Sequence, residues 1–282
     1  MSAQEILSGV LREVLEADAL ASVRLHPDAP WAWGRLAESL LEADGLEAAA
    51  AALRGLVETR PALSGTREER RQLLELLAAL ATESGDPPFA LGALGWLCEL
   101  EPGDVGAWVA LASHYREAGK LDEALDAGSR ALALREDATT TTAQSVLLTD
   151  AGRLGEAERL ARRSVELDPA WGLAWSNLAD TLGKAGRWEE AHDAARRATE
   201  ADPSAWYAWS NLGEALSMRG EHAAAADAHE HALDLGADDA PCVLMAGRAL
   251  LRVGRRDRAA RALNVLRRID STLAAQLEGE LA

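Results

Sequence analysis

Glycine and alanine recur at an almost constant interval along this chain, and the period sharply limits the possible folds. Successive glycines of the series are 34, 33, 34, 34 and 34 residues apart. The members are Gly85, Gly119, Gly152, Gly186, Gly220 and Gly254. Alanine keeps the same register five residues later, and Ala49 extends this second series towards the N-terminus. The period predicts a stack of similar units rather than the two ordinary domains that 282 residues would suggest.

Other positions repeat in phase with the glycines. Trp108, Trp175 and Trp209 each lie eleven residues before a glycine of the series, and a leucine follows each tryptophan by three residues. A glycine can end a helix in the left-handed conformation, and small residues allow two helices to cross closely. Because alanine and leucine dominate the apolar residues, a β-sandwich is disfavoured. Each unit is predicted to be a helical hairpin that buries its apolar faces by stacking.

This pattern resembles the tetratricopeptide repeat, a helix-turn-helix unit of 34 residues. The resemblance is clearest in residues 172–205 and 206–239, where the segments WSNLA and WSNLG begin at Trp175 and Trp209. It covers nearly the whole chain. It implies an all-α solenoid, wound as a right-handed superhelix, of about seven helix-turn-helix units with helical caps.

The register divides the chain into repeats and two ends. Residues 1–29 are expected to form an N-terminal capping helix from a partial repeat, and residues 274–282 a C-terminal tail. Residues 30–273 hold the seven predicted repeats. Their boundaries are 30–63, 71–104, 105–137, 138–171, 172–205, 206–239 and 240–273.

Two units depart from the period. The spacing between the first two units is 41 residues, and the seven extra residues fall in 62–65 and the segment that follows, 66–69. Thr66 and Glu69 fit a capping box, so we expect a loop, functional or merely tolerated, followed by a prolonged helix. In the fourth unit, residues 139–142 are four threonines, which make a poor helix start. They indicate a degenerate repeat, a soft joint or a phosphorylation site.

The bulk composition excludes several classes of protein. The formal net charge of −17 disfavours nucleic acids and anionic membranes as partners. No window approaches the ~18 consecutive apolar residues of a membrane helix, and the N-terminus lacks the basic start of a secretory signal. We therefore expect a cytoplasmic protein. Among 29 basic residues only Lys120 and Lys184 are lysine, which, with the excess of alanine, suggests a bacterial genome rich in GC.

The sequence contains no motif typical of catalysis or of phosphate binding. The patterns GxxxxGK[ST], GxGxxG, GxSxG and HExxH are all missing. His222, His229 and His231 share one helical segment, but the last two are two residues apart and face different ways. Cys98 and Cys242 match no metal or redox spacing. We therefore predict no enzymatic activity, no cofactor and no metal site.

In the tetratricopeptide family the first helices of the units line a concave groove, so the resemblance implies a row of partner-binding residues. Carried over position by position, these are Trp31, Glu38, Glu42, Glu75, Glu83, Arg116, Glu117, Asp150, Asn177, Asp180, Lys184, Tyr207, Asn211, Glu214, Met218, Arg248 and Arg252. The groove is expected to be acidic over most of its length and basic at its C-terminal end. Asn177 and Asn211 would hydrogen-bond a peptide backbone, or else only solvent or a local turn.

Four aromatic residues lie outside the packing positions of the repeat. They are Trp31, Trp171, Trp206 and Tyr207. Exposed tryptophan and tyrosine are enriched at interfaces, so these residues are candidates for an aromatic patch at the lip of the groove. The alternative is that they are buried against neighbouring loops.

The C-terminal repeats concentrate charge of both signs. Residues 248–268 contain eight arginines and one acid, whereas residues 221–239 contain six acids and no lysine or arginine. Such faces could steer an acidic partner or a second copy of the chain. They could equally form ion pairs within the protein. The arginines have no interleaved aromatic residues, so nucleic-acid binding is not predicted.

Together these features predict a non-catalytic protein–protein interaction scaffold. It would hold a protein or peptide segment with basic and apolar residues in its groove. One alternative is a structural module that self-associates as a homo-oligomer through the charged C-terminal faces. Another is a regulatory subunit of an enzyme complex.

Overall fold

The computed structural model describes residues 18–43, 45–60 and 62–281. Within these ranges the chain forms helices joined by short turns, with no strand. Residues 18–25 are helical, and the rest of the predicted cap, 1–17, lies outside the described residues. The helices that follow are α1 (Pro30–Ala43), α2 (Leu46–Thr59), α3 (Arg67–Glu83), α4 (Pro87–Leu100), α5 (Val105–Glu117), α6 (Leu121–Leu134), α7 (Ala138–Asp150), α8 (Leu154–Leu167), α9 (Gly172–Lys184), α10 (Trp188–Ala201), α11 (Trp206–Met218), α12 (His222–Asp234), α13 (Ala240–Arg252), α14 (Arg256–Ile269) and α15 (Ser271–Leu281).

Consecutive helices pair as hairpins, from α1 with α2 through α13 with α14, and α15 follows the last hairpin. The odd-numbered helices up to α13 are the first helices of their hairpins. The predicted all-α fold of stacked helical repeats is therefore confirmed. The chain divides into two compact units, Met1–Arg135 and Glu136–Ala282, which we call unit 1 and unit 2.

The periodic glycines lie in the turns of the hairpins. Gly119 follows α5 with a φ of 72°, and Gly186 follows α9 with a φ of 76°. A residue with a Cβ pays an energetic penalty in this left-handed region, which explains why glycine recurs there. Gly85, Gly152, Gly220 and Gly254 also have positive φ.

The periodic tryptophans tie the start of each first helix to the preceding turn. In unit 2, the indole N–H of Trp175 donates to the carbonyl of Pro169 at 2.8 Å. The same bond joins Trp33 to Pro27, Trp108 to Pro102 and Trp209 to Pro203. These tryptophans therefore act as packing residues, which is the role that the repeat pattern predicts.

Small side chains make up much of the buried core. In unit 2, Ala179 on α9 and Ala191 and Ala195 on α10 are almost completely buried in one apolar cluster with Leu178 and Leu182. Unit 1 carries larger residues, and Leu74, Leu77 and Phe89 are fully buried there. Alanine between paired helices allows them to approach closely, so the alanine period has a direct packing role.

The predicted capping box at Thr66 is present. The backbone N–H of Glu69 donates to the Thr66 hydroxyl at 3.2 Å, and the Thr66 N–H donates to the Glu69 carboxylate at 2.7 Å. Helix α3 has 17 residues, longer than the 14-residue α4 with which it pairs, so the prediction of a prolonged helix is confirmed. The Ser64 N–H donates to the Asp28 carbonyl at 2.7 Å and anchors the inserted loop.

The threonine run begins a regular helix, contrary to the expected poor helix start. Asp137 caps α7 by accepting a hydrogen bond from the Thr140 N–H, and the Thr140 side chain completes a capping box. Thr140, Thr141 and Thr142 are buried, and the Thr142 hydroxyl lies 2.6 Å from that of Ser164 on α8. Capping and buried hydrogen bonds offset the low helix propensity of threonine.

Candidate functional site

Unit 2 contains a cleft between α11 and α13, the first helices of two adjacent hairpins. Its volume is about 260 Å³. The lining residues are Glu214, Ser217 and Met218 from α11, His229 from α12, and Met245, Arg248, Ala249 and Arg252 from α13. The structure therefore brings together Glu214, Arg248 and Arg252, three of the residues that the repeat register predicts for partner binding.

His229 forms the buried wall of this cleft. The residue is 2 % exposed, and its Nδ1 has no hydrogen-bond partner within the described residues. Burial lowers the pKa of His229 to about 4, so the imidazole is neutral at pH 7. A Cβ added to Gly213 would stand 2.8 Å from the imidazole ring. The missing side chain at Gly213 therefore makes room for the histidine.

Glu214 brings an uncompensated negative charge to the cleft. Burial raises the pKa of its carboxyl, the charge of Asp180 raises it further, and Lys184 acts in the opposite direction. Among the described residues, no cation forms an ion pair with Glu214 and no donor hydrogen-bonds it. A half-buried carboxylate in this condition is well placed to accept a hydrogen bond from a cationic ligand group.

The opposite side of the cleft, on α13, carries two arginines, and an exposed methionine lies on the same helix as Glu214. Arg248 donates through Nε and Nη2 to the Glu280 carboxylate of α15, at 2.8 and 2.7 Å. Arg252 lies 3.4 Å from the His222 ring nitrogen and has no carboxylate within ion-pair distance among the described residues. Met218 is 57 % exposed. The cleft thus combines apolar thioether side chains with unpaired charge of both signs.

The two candidate asparagines lie between helices rather than on an open surface. The Asn211 amide donates to the carbonyl and to the hydroxyl of Ser176, both at 2.9 Å, so it links α11 to α9. Asn177 is 6 % exposed, and its Nδ2 has no hydrogen-bond partner within the described residues. Lys184 pairs with Asp180 at 3.0 Å and approaches Asp150 at 3.7 Å.

The aromatic candidates of unit 2 are half-buried, as the burial alternative expects. Trp171 packs against the apolar cluster of α9 and α10, and Trp206 packs against the cluster around Val243. Tyr207 packs against a third cluster, and partial burial raises its pKa. Trp206 and Tyr207 meet edge to face at 6.0 Å, whereas no ring contact within the described residues joins Trp171 to either.

The candidates of unit 1 are more accessible. Trp31 is 46 % exposed near the start of α1, and its ring centroid lies 5.5 Å from that of His26. Glu38 is exposed two turns later on the same helix. Arg116 is exposed in the last turn of α5. Trp31 and Glu38 line one cleft.

The oppositely charged C-terminal faces pair with each other inside unit 2. Arg255 contacts Asp227 at 2.6 Å, and Arg261 contacts Asp234 at 2.8 Å. Arg258 contacts Glu230 at 2.5 Å. The pairs join α14 and the turn before it to α12. They compensate internally the charges on which self-association was expected to depend.

The described residues offer no other candidate for chemistry. They contain no group of three or more histidine, cysteine, aspartate or glutamate side chains that could hold a metal ion. Cys98 and Cys242 are free thiols, and burial raises the pKa of each to about 12. None of the described helices has the length and apolar character needed to cross a membrane.

The sequence did not predict that His229 and Met245 line the cleft. A signal for the histidine was present in the repeat register. One repeat earlier, the positions of Gly213 and His229 hold Ala179 and Ala195. A simultaneous loss of a side chain and gain of a ring in one unit indicates a compensating pair.

The stacked hairpins define a helical-repeat protein. The family model described as "Tetratricopeptide repeat" matches residues 76–139 and 176–240. These two regions of the chain are therefore tetratricopeptide repeats. No curated protein gives a significant sequence match to it.

Solved structures show the same fold. A tetratricopeptide repeat protein from Parabacteroides merdae is 17 % identical with a TM-score of 0.68, covering 86 % of this chain and 94 % of that one. PilF of Pseudomonas aeruginosa is 19 % identical with a TM-score of 0.59, covering 76 % and 99 %. A chain of the APC/C hetero-tetramer Cut9–Hcn1 is 17 % identical with a TM-score of 0.64, covering 94 % and 52 %. At these identities the likeness concerns the fold alone.

Proposed function

We propose that this protein is a non-catalytic scaffold that binds a segment of a partner protein along its first helices. Tetratricopeptide repeats generally mediate protein–protein interactions, and their fold typically serves as a scaffold without catalysis. The observation that carries the proposal is the cleft between α11 and α13, where Glu214, Arg248 and Arg252 meet beside Met218 and Met245. The scaffold acts in the cytoplasm of a bacterium, as the composition indicates.

The chemistry of the cleft favours a partner with a basic residue next to an apolar one. A lysine or arginine would compensate the charge of Glu214. An adjacent apolar side chain would cover Met218, whose flexible thioether adapts to different shapes. Arg252 is available to pair with an acidic group of the same segment. A peptide that carries both a basic and an acidic group therefore matches the charges of the cleft.

The other candidates take secondary roles in this proposal. Asp180 and Lys184 extend the charged row along α9, and Asn177 and Asn211 support the first helices from between them. The accessible parts of three aromatic rings provide apolar contacts, and these rings belong to Trp171, Trp206 and Tyr207. Arg116 provides an exposed charge in unit 1.

Selection of peptides from a random phage-displayed library tests the proposal. The full-length protein should enrich peptides that combine basic and apolar residues. Fluorescence anisotropy then measures their affinity for wild type and for the Met218→Glu variant, which places a charge on an apolar contact. We expect a loss of about tenfold, or about 1.4 kcal/mol.

The matched control is Ile269→Glu. Ile269 is 40 % exposed and, like Met218, ends its helix, but it lies on α14 outside the cleft. This variant should bind the enriched peptides as wild type does. Equal losses of peptide affinity in both variants would argue against the cleft as the binding site, and so would a library that enriches no peptide.

A further inference from the structure

A second cleft lies in unit 1 between α1 and α3, and it is independent of the cleft that carries the proposed function. Its volume is about 380 Å³. The lining residues are Pro30, Trp31, Gly34, Arg35 and Glu38 from α1, and Glu69, Gln72, Leu73 and Leu76 from α3.

Trp31 differs from the structural tryptophans around it. Trp33, two residues later, uses its indole N–H to bind the Pro27 carbonyl. Within the described residues, the Trp31 indole has no hydrogen-bond partner, and Trp31 is 46 % exposed whereas the other tryptophans are half-buried. An aromatic ring with this much open surface is a frequent anchor for a partner side chain.

The floor of the cleft beside Trp31 is open. Gly34 lies one turn after Trp31 on the same side of α1, and a Cβ placed there would meet no atom within 4 Å. The next turn carries Glu38. Helical side chains lean towards the N-terminus, so the Glu38 carboxylate leans back over this open floor towards the indole.

Glu38 is the carboxylate of the cleft that has neither a cation nor a hydrogen-bond donor as partner within the described residues. Arg35 is engaged by Asp18 at 3.0 Å, and the Glu69 carboxylate accepts the hydrogen bonds of the capping box. Gln72 donates to Glu68 at 3.0 Å. Within the described residues, no cation pairs with Glu38. The cleft thus offers an aromatic face, the apolar Leu76 and one free carboxylate.

We propose that this cleft binds an arginine side chain of a partner protein. Two helical turns separate Trp31 from Glu38, a rise of about 10 Å along the axis. The apolar stem of a bound arginine covers the indole and Leu76, and its guanidinium reaches the Glu38 carboxylate. A planar guanidinium pairs with a carboxylate in two parallel hydrogen bonds, which favours arginine over lysine.

Fluorine NMR of the full chain labelled with 5-fluorotryptophan tests this site. The Trp31→Phe variant identifies the Trp31 resonance, and the other tryptophans serve as internal controls. The probe is the blocked peptide acetyl-Ala-Leu-Arg-Leu-Ala-amide, with matched peptides that carry lysine or the neutral citrulline in place of arginine. The arginine peptide should shift the Trp31 resonance saturably, the lysine peptide less, and the citrulline peptide negligibly.

Charge variants complete the experiment. Glu38→Gln should weaken the arginine peptide about two- to fivefold, as expected for a partly exposed ion pair. Glu58→Gln, an exposed neutralisation on α2, should leave the affinity unchanged. Equal shifts with the citrulline peptide, or an unchanged affinity in Glu38→Gln, would overturn the proposal. A Trp31 shift that depends on protein concentration alone would overturn it in favour of a second copy of the chain.

The outcome is separate from that of the proposed function. The fluorine signal of Trp31 reports on unit 1, whereas Met218→Glu and Ile269→Glu report on unit 2. Met218→Glu should leave the Trp31 titration unchanged. Loss of the Trp31 titration in Met218→Glu would show that the peptide binds in unit 2 and would refute the arginine site.

Discussion

Gly213 and His229 illustrate how one residue pair can turn a packing position into the wall of a site. Where the preceding repeat places Ala179 against the same cluster as Ala195, α11 lacks a side chain and α12 supplies a ring. The exchange keeps the helices close and places an imidazole in the same cleft as Glu214, with an Nδ1 that has no hydrogen-bond partner within the described residues. Because the imidazole lies in an environment with little water, its charged form is disfavoured.

The buried imidazole should make stability depend on pH. Burial lowers the pKa of His229 to about 4, whereas histidine in an unfolded chain titrates near 6.5. Between these values the unfolded chain binds more protons than the folded one. The free energy of unfolding should therefore fall as the pH drops from 6.5 to 4, by about 3 kcal/mol in total. Urea unfolding at a series of pH values measures this loss.

The control for this prediction is the double variant Gly213→Ala, His229→Ala, which restores the alanine pair and removes the titrating group. Burial raises the pKa of Glu214, so its protonation stabilises the folded state on acidification and opposes the effect of His229 in the parent protein. Carboxylates whose pKa is lowered by ion pairs, such as Glu158 and Glu190, titrate in both proteins. If the free energy of unfolding changes with pH by the same slope in both proteins, the assignment of the effect to His229 is contradicted.

Helix α15 stabilises the end of unit 2 by covering α13 and α14. Leu277 is fully buried and occupies the space that Gly247 leaves open on α13, where an added Cβ would stand 2.5 Å from its side chain. Arg248 on α13 and Arg267 on α14 pair with Glu280 and Glu278. Apolar burial and ion pairs thus hold α15 on both helices of the last hairpin.

Removing the Leu277 side chain should destabilise this end of the protein. Leu277→Ala leaves a cavity over Gly247, and such substitutions cost about 2–5 kcal/mol. Hydrogen exchange should show faster exchange in α15 and in the facing turns of α13. Leu273→Ala, at a half-buried position of the same helix, is the control and should cost less. Equal effects of the two substitutions would contradict the placement of Leu277 over Gly247.

Local signals predicted the helices and turns well. The glycine period predicted the positive φ values of the turns, and Thr66 with Glu69 predicted the capping box, because these depend on residues close in sequence. The threonine run was misread because its stability comes partly from Ser164, on another helix. Propensity describes only the segment itself, whereas burial and tertiary hydrogen bonds decide the outcome.

The register also placed Glu214 on one first helix and Arg248 and Arg252 on the next, and the structure joins them in one cleft. It could not predict that Glu280 would engage Arg248. That contact depends on how α15 packs and on side-chain rotamers, neither of which has a periodic signature. The unpaired state of Glu214 was hidden for the same reason.

Across the chain, charge is compensated chiefly by pairs between neighbouring helices. Arg162 on α8 contacts Glu158 on its own helix and Glu190 on α10, and Arg187 contacts the same two carboxylates. Each such exposed pair contributes little to stability. Within the described residues, Glu214 and Glu38 form no such pair, and each lines a cleft beside apolar side chains.

Site-specific photo-crosslinking in native lysate can show whether the first helices receive a partner. A benzophenone amino acid replaces Met218 in one protein and Ile269 in a second, both at exposed apolar positions that end a helix. We expect a discrete crosslinked protein from position 218 alone. Adding a basic and apolar peptide enriched from the library should suppress this crosslink. Crosslinks of equal yield from position 269, or a product at 218 that the peptide does not suppress, would contradict this expectation.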